Sequence, residues 1–405
     1  MNLATILAPR SSARLVFAQL ACACGLLGGC GGGGPDTAGT GSSGPRATSF
    51  AAGPITGFGS VIVNGVRFDD STAAVSDDDG TPGSKDQLLL GMSAEVQGGA
   101  ISDDGTGPRA TASAIVFGAA LIGPVSAVDP VARSLVILGQ TVLVLDTTVI
   151  GERLVGGFAG ITVGQVLEVH AQLDPVSGVY TATRVGPTQA LAGYKIRGIV
   201  ANLDTTAMTF TIGGTLISYA GVSNVPADLA NGVLVGARLQ TMQVAGAWVA
   251  TRLHDRSSSV GDSDAAHIEG SITAFTSTMQ FSVNGIPVDA SQAQFPGGTA
   301  GVVLGAEVDV KGTSSNGVVI ATSVSVETHE AIRASGFELH GAVTALDTVA
   351  QTFVVRGVTV SYASATIEWK NGTAALLAVG VQLEVNGTLS ADGTMVQATR
   401  IGFGG

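Results

Sequence analysis

The side chains able to do chemistry are few and share no motif. Histidines stand at His170, His254, His267, His329 and His340. None has the H-E-x-x-H spacing that turns two imidazoles toward one metal ion, so they read as surface or structural residues. No G-x-S-x-G elbow raises a serine nucleophile. Gly39-Thr40-Gly41-Ser42-Ser43-Gly44 matches G-x-G-x-x-G by letter. It follows no strand pattern and opens no helix, so it carries no phosphate site. Asp77-Asp78-Asp79-Gly80 and Asp103-Asp104-Gly105 offer the oxygens calcium prefers, without the alternating ligand spacing of an EF-hand loop. They are expected to be solvated turns. The sequence therefore points to no catalytic residue, no metal ligand and no cofactor, and the chain is read as not an enzyme.

One carboxylate position does recur, at Glu95, Glu168, Gln240, Asp309 and Glu384. Alternation sets it against Leu167 and Val169 in one copy and Leu383 and Val385 in another. On a half-buried strand that is the solvent face, where a carboxylate keeps a β surface soluble. The two tryptophans, Trp248 and Trp369, are a thin supply for stacking on sugars.

The elements that position these residues repeat. Gly65, Gly139, Gly214, Gly285 and Gly357 lie 74, 75, 71 and 72 residues apart. Apolar residues stand four and two before each: Val61 and Val63, Leu135 and Ile137, Phe210 and Ile212, Phe281 and Val283, Phe353 and Val355. Another stands three after: Phe68, Val142, Ile217, Val288 and Val360. Period-two alternation around a glycine predicts a hairpin with one buried face. Asn64-Gly65 and Asn284-Gly285 suit its turn, because both residues tolerate positive φ. A second glycine follows in each unit, at Gly91, Gly164, Gly236, Gly305 and Gly380, with an apolar residue three before and three after. Each unit ends on Ala-Thr, and four open on Gly-x-Val/Ile, as in Gly123-Pro124-Val125.

A unit of about seventy residues with five or six short strands hides its edges best by closing into a small barrel. The fold class is therefore all-β: five tandem antiparallel β-barrel-like repeats, whose strand count suits an OB-like topology. The expected layout is a leader at 1–29, a tether at 30–54, and repeats at 55–118, 119–188, 189–256, 267–330 and 331–405. A polar linker at 257–266 separates the third repeat from the fourth. Five separate cores are expected, with Ser282 and Thr211 facing solvent.

Composition narrows the partners. The chain holds 58 glycines, only 12% charged residues and a net charge of −12. Residues 1–29 carry Arg10 and Arg14 and no acid, so their removal takes the charge to −14. A surface this acidic repels phosphate backbones, which argues against nucleic acid as a partner.

The amino terminus has the three parts of an export signal. Leu15 to Leu27 is too short to span a bilayer, which needs about 20 apolar residues. Leu27-Gly28-Gly29-Cys30 resembles the lipobox of bacterial lipoprotein signals. That resemblance implies a lipid on the Cys30 thiol and cleavage before it. Cys22 and Cys24 leave with the leader, so the body holds neither disulfide nor thiolate site. The Gly/Ser-rich stretch after Cys30 reads as a flexible tether. Gly31 stands where Asp retains such proteins at the inner membrane, which favours the outer membrane, facing periplasm or cell surface.

Gly57-Phe58-Gly59-Ser60-Val61-Ile62-Val63-Asn64-Gly65 resembles the opening of a domain-of-unknown-function family found in tandem in proteobacterial secreted proteins and lipoproteins. The likeness is best over 55–118. It implies an envelope location and brings no site residues. The expected function is a non-catalytic envelope lipoprotein presenting β modules as a scaffold. Its partners would be the membrane, through Cys30, and an envelope protein or polysaccharide. The alternative is a carbohydrate- or peptide-binding lipoprotein using a barrel mouth or a groove between repeats.

Overall fold

The computed structural model describes residues 48–188, 193–254, 260–328 and 336–404. The leader, Cys30, the tether up to residue 47 and His329 lie outside the described residues. Among the described residues every regular element is a strand, apart from three 3-10 turns at Lys85–Gln87, Gly157–Gly160 and Ala374–Leu376. No helix there is long and apolar enough to cross a membrane.

The first strand set is β1 (Ser49–Phe58), β2 (Val61–Val63), β3 (Val66–Asp69), β4 (Ala74–Asp77), β5 (Ser93–Gly98), β6 (Ser102–Asp103) and β7 (Pro108–Phe117). The second is β8 (Leu121–Asp129), β9 (Ser134–Ile137), β10 (Gln140–Leu143), β11 (Val149–Ile150), β12 (Val166–Asp174) and β13 (Val179–Pro187). The third is β14 (Tyr194–Asp204), β15 (Thr209–Ile212), β16 (Thr215–Ser218), β17 (Leu234–Val244) and β18 (Ala247–His254). The fourth is β19 (Ser263–Ser277), β20 (Gln280–Val283), β21 (Ile286–Asp289), β22 (Glu307–Ser315) and β23 (Val318–Val326). The fifth is β24 (Phe337–Asp347), β25 (Thr352–Val355), β26 (Val358–Ser361), β27 (Glu368–Lys370), β28 (Gln382–Leu389) and β29 (Val396–Phe403).

One circuit of pairings runs through each set. In the first, β1 is antiparallel to β2 and β2 to β3, β3 lies parallel to β7, β7 is antiparallel to β5, and β5 returns to β1. The second closes as β8–β9–β10–β13–β12 and the third as β14–β15–β16–β18–β17. The fourth closes as β19–β20–β21–β23–β22 and the fifth as β24–β25–β26–β29–β28. Closure gives barrel-like sheets whose strands find partners within their own set.

The hairpin glycines mark the turn between the second and third strands of each circuit. Both turn residues take positive φ: Asn64 and Gly65, Leu138 and Gly139, Gly213 and Gly214, Asn284 and Gly285, Arg356 and Gly357. This is the geometry that matches the twist of a two-residue hairpin. In the first, second and fourth sets the turn side chain folds back over the glycine that opens the unit. A Cβ on Gly53 would strike Asn64, and one on Gly270 would strike Asn284. On Gly123 it would come within 2.7 Å of Leu138 Cγ. The first set thus also opens on Gly-x-Ile, as Gly53-Pro54-Ile55, which places its start before residue 55.

Alternation predicted the buried face well. Val63, Ile137, Ile212, Val283 and Val355 are each at most 1% exposed and occupy equivalent strands. Ser282 and Thr211, expected in solvent, are half-buried, and Thr211 Oγ1 donates to the Ala201 carbonyl. Three further differences share one cause, the packing of barrels on each other. The buried apolar residues form three contiguous clusters rather than five. One joins the second and third sets, one joins the first and fifth, and the fourth set gathers Phe50 and Ala52 of β1. A seventy-residue barrel buries too little surface alone, so neighbours complete its core. The stretch expected as tether enters a sheet at Ser49: β1 runs parallel to β19 over 49–52 and to β24 over 57–58. The expected linker at 257–266 likewise ends early, because β19 begins at Ser263.

Candidate functional site

The recurrent carboxylates do not face bulk solvent, which corrects the expectation from alternation. On β5, β12 and β28 this face turns toward another strand set, and on β22 it turns toward a hollow between sets, so pointing out of one core is not pointing into bulk water. Glu95 is buried. Glu168 meets His170 at 3.0 Å, and that imidazole accepts the Ser93 backbone N–H on its other nitrogen at 3.1 Å. Burial pushes the Glu168 carboxyl up. The His170 hydrogen bond, then His170, Arg184 and Lys195, outweigh that and hold it below the ordinary range. Asp309 pairs with His267. Glu384 lies with Glu338 and His340, their ligating atoms all within 4.8 Å of one another. Arg67 takes both Glu338 oxygens, at 2.6 and 2.7 Å, so this trio is a salt-bridge network joining the first and fifth sets. Only Gln240, the uncharged member, is exposed.

The run Asp77-Asp78-Asp79 is not a solvated turn either. Asp77 Oδ1 caps it locally by accepting the Asp79 and Thr81 N–H groups at 3.0 and 2.7 Å. Asp78 and Asp79 reach into the third set. Lys195, 2% exposed, pairs with Asp78, and Arg238 pairs with Asp79. Arg252 donates to the Asp79 carbonyl, and His254 lies 3.7 Å from Asp78 and 3.6 Å from Asp79. An acidic loop from one barrel is thus clasped by four basic side chains of another. By contrast, Asp103 and Asp104 make the expected exposed turn, accepting the Gly105 and Thr106 N–H groups at 2.8 and 3.1 Å. The four described histidines all stand against carboxylates. Their sequence spacing hid this because each partner lies two residues away on one strand, across a strand pair, or in another set.

Between the barrels lies a cavity of about 800 Å³. Ile55 and Thr56 of the first set, Leu145, Thr181 and Thr183 of the second, Glu269, Glu307 and Glu327 of the fourth, and Phe337 and Leu389 of the fifth line it. A second hollow of about 670 Å³ shares Thr56, Glu269, Glu327, Phe337 and Thr388 with it and adds His267, Asp309 and Lys311. Glu269 borders both. It stands opposite Asp309 across the β19–β22 pair, and like charges so placed repel. Burial, then Asp309, Glu327 and Glu307, push its carboxyl up to about 7. No motif search could find this site, because its walls come from four strand sets.

The aromatics are committed elsewhere. Trp248 packs edge-on to Tyr194 at 5.4 Å, and Trp369 stacks on Phe403 at 6.1 Å. Neither forms an open platform for a sugar ring.

Residues 122–186, 269–325 and 340–402 match the family model described as Domain of unknown function (DUF5666). These segments fall in the second, fourth and fifth strand sets, so three parts of the chain are similar to one uncharacterised domain, repeated in tandem. The segment 55–118, where the resemblance looked best, is not among those matched. There the first two strands join through Gly59-Ser60, whereas the second, third and fifth sets use longer turns. Asp129, Asp204 and Asp347 cap those turns by accepting two backbone N–H groups each. No curated protein matches the chain. A solved structure titled "drosophila Unr CSD456" is similar at 15% identity, over 52% of this chain and 97% of that one, with a TM-score of 0.14. A score that low carries no argument.

Proposed function

Because the chain carries tandem copies of a small β domain around a shared hollow, we propose that it is a non-catalytic binding protein whose ligand enters the cavity between the barrels. In this reading it is five copies of one OB-like module, held by a lipid on Cys30 at the outer membrane and facing periplasm or cell surface. One observation carries it: four strand sets wall a hollow whose volume of about 800 Å³ lies in the range of small-molecule sites. The pure scaffold reading stands second. It rests on modularity, and barrels that complete each other's cores are not independent beads.

Thr388 lies on the wall common to both hollows. Thermal-shift measurements against saccharides, short peptides and small charged molecules should find a stabilising class, and Thr388→Trp should abolish that shift while keeping the β-rich circular dichroism. A shift that survives the filled wall would move the site elsewhere, and no shift from any class would leave the scaffold reading. The anchor is tested separately. Cys30→Ala should lose labelling by a palmitate analogue, and retained labelling would refute it.

A further inference from the structure

We propose that this cavity takes an organic cation, a primary amine or guanidinium on an apolar body, with Glu269 as its counter-ion. The proposal rests on the binding function above and names the ligand class. Glu269 is half-buried on β19 and borders both hollows. Among the described residues nothing donates to it. Among the described residues, His267 and Lys311 both go to Asp309, Arg67 goes to Glu338, and Arg197, which shares a small hollow with Glu269, is engaged as well. Glu307 and Glu327 add negative charge at the same wall. Facing them are Leu145 from the second set and Phe337 and Leu389 from the fifth. A hollow with apolar side chains on one side and the Glu269 carboxylate on the other is what an alkyl- or arylamine satisfies: the body leaves water and the ammonium supplies a counter-charge.

A divalent metal fits less well. Among the described residues, the three ligating side chains close enough to share an ion are Glu338, His340 and Glu384, not the group around Glu269. The charged groups facing Glu269 are Asp309 and Glu307 from β22, Glu327 beyond β23, and Glu95 and Arg197, which share a small hollow with it. A proton on Glu269 competes with the ligand's charge. With its carboxyl near 7, an amine should bind about tenfold more weakly at pH 6 than at pH 8, following the ionised fraction.

The test is calorimetry on the intact mature protein with phenethylamine, tyramine, agmatine and spermidine, beside neutral 2-phenylethanol and calcium chloride. At least one amine should bind at pH 8, weaken about tenfold at pH 6, and weaken at least thirtyfold in Glu269→Gln. Binding of 2-phenylethanol should be insensitive to that substitution and to pH. The thermal melt of Glu269→Gln reports whether its fold is intact, and Thr388→Trp should block the same amine. Neutral ligands that bind while all four amines fail would overturn the cation assignment and leave the binding function standing. Calcium binding abolished by Glu269→Gln, with amines silent, would reassign the carboxylates to a metal. Failure of every ligand class would remove both readings.

Discussion

Glu269 shows how one residue can be marked by its surroundings and invisible to its neighbours in sequence. On β19 it is simply a polar residue between Ile268 and Gly270, as alternation allows. Its folded pKa of about 7 stands above the ordinary value of 4.5, so the folded chain binds a proton that the unfolded chain releases earlier. The stability this supplies is complete below about pH 4.5 and is lost as pH rises through 7. Glu269→Gln should therefore be more stable than the parent at pH 8, by roughly 3 kcal/mol from a shift of this size. The two proteins should match at pH 4. Denaturant unfolding at both pH values checks this, and equal stabilities at pH 8 would mean the carboxyl finds a counter-charge in solution. Thr211 and Ser282 teach the same lesson in milder form. They were expected in water because their strands alternate, and they sit half-buried where sheet surfaces crowd.

At the scale of elements, the hairpin and the unit-opening glycine form one device. Their spacing was legible, but the reason for the opening glycine was not, since it lies in contact across the sheet. Where the turn side chain is close the glycine is obligatory; where it stands back, alanine fits. Gly123→Ala, facing Leu138 Cγ at 2.7 Å, should cost about 1–3 kcal/mol as an overpacked site does. Gly341→Ala, whose nearest atom is Val355 Cγ1 at 3.3 Å beside the flexible Arg356 chain, should cost less than about 1 kcal/mol. Comparable losses at the two sites would break the link between turn and opening glycine. The turns also carry avoidable strain, because Leu138 and Arg356 hold φ of 49° and 53°. Arg356→Asn should stabilise by up to about 1 kcal/mol, as asparagine tolerates that region better. An unchanged melt would argue that Arg356 contributes packing of equal value.

For the whole molecule, the barrels are joined by charge as much as by apolar contact. The Asp78–Lys195 pair is nearly buried on both sides, so removing the lysine takes its closest cation from a carboxylate that has little access to water. Lys195→Met should cost about 3–5 kcal/mol. Adding Asp78→Asn should recover part of that loss, because the stranded charge goes with it. Additive losses in the double variant would show that the two groups do not interact. The clasp has a consequence for the acidic run: its carboxylates are matched by protein cations, so calcium has no charge to neutralise at Asp78 and Asp79.

Features that depend only on neighbours along the chain were legible from the residue order. Alternation fixed which face of each strand is buried, and paired positive-φ residues fixed the hairpins. The regular return of both fixed the repeating circuit, since these preferences act over a few residues and need no partner. What the outer faces meet depends on how the barrels pack, which residue order along one strand does not encode. A polar residue on a strand's outer face has the same pattern whether it meets water or the next barrel, and so Glu95, Glu168, Asp309 and Glu384 read as solvent-facing. Barrels too small to bury their own cores turned those faces inward. That packing merged the cores, brought His254 against Asp78 and Asp79 of another strand set, and left Glu269 beside a cavity that no single repeat contains.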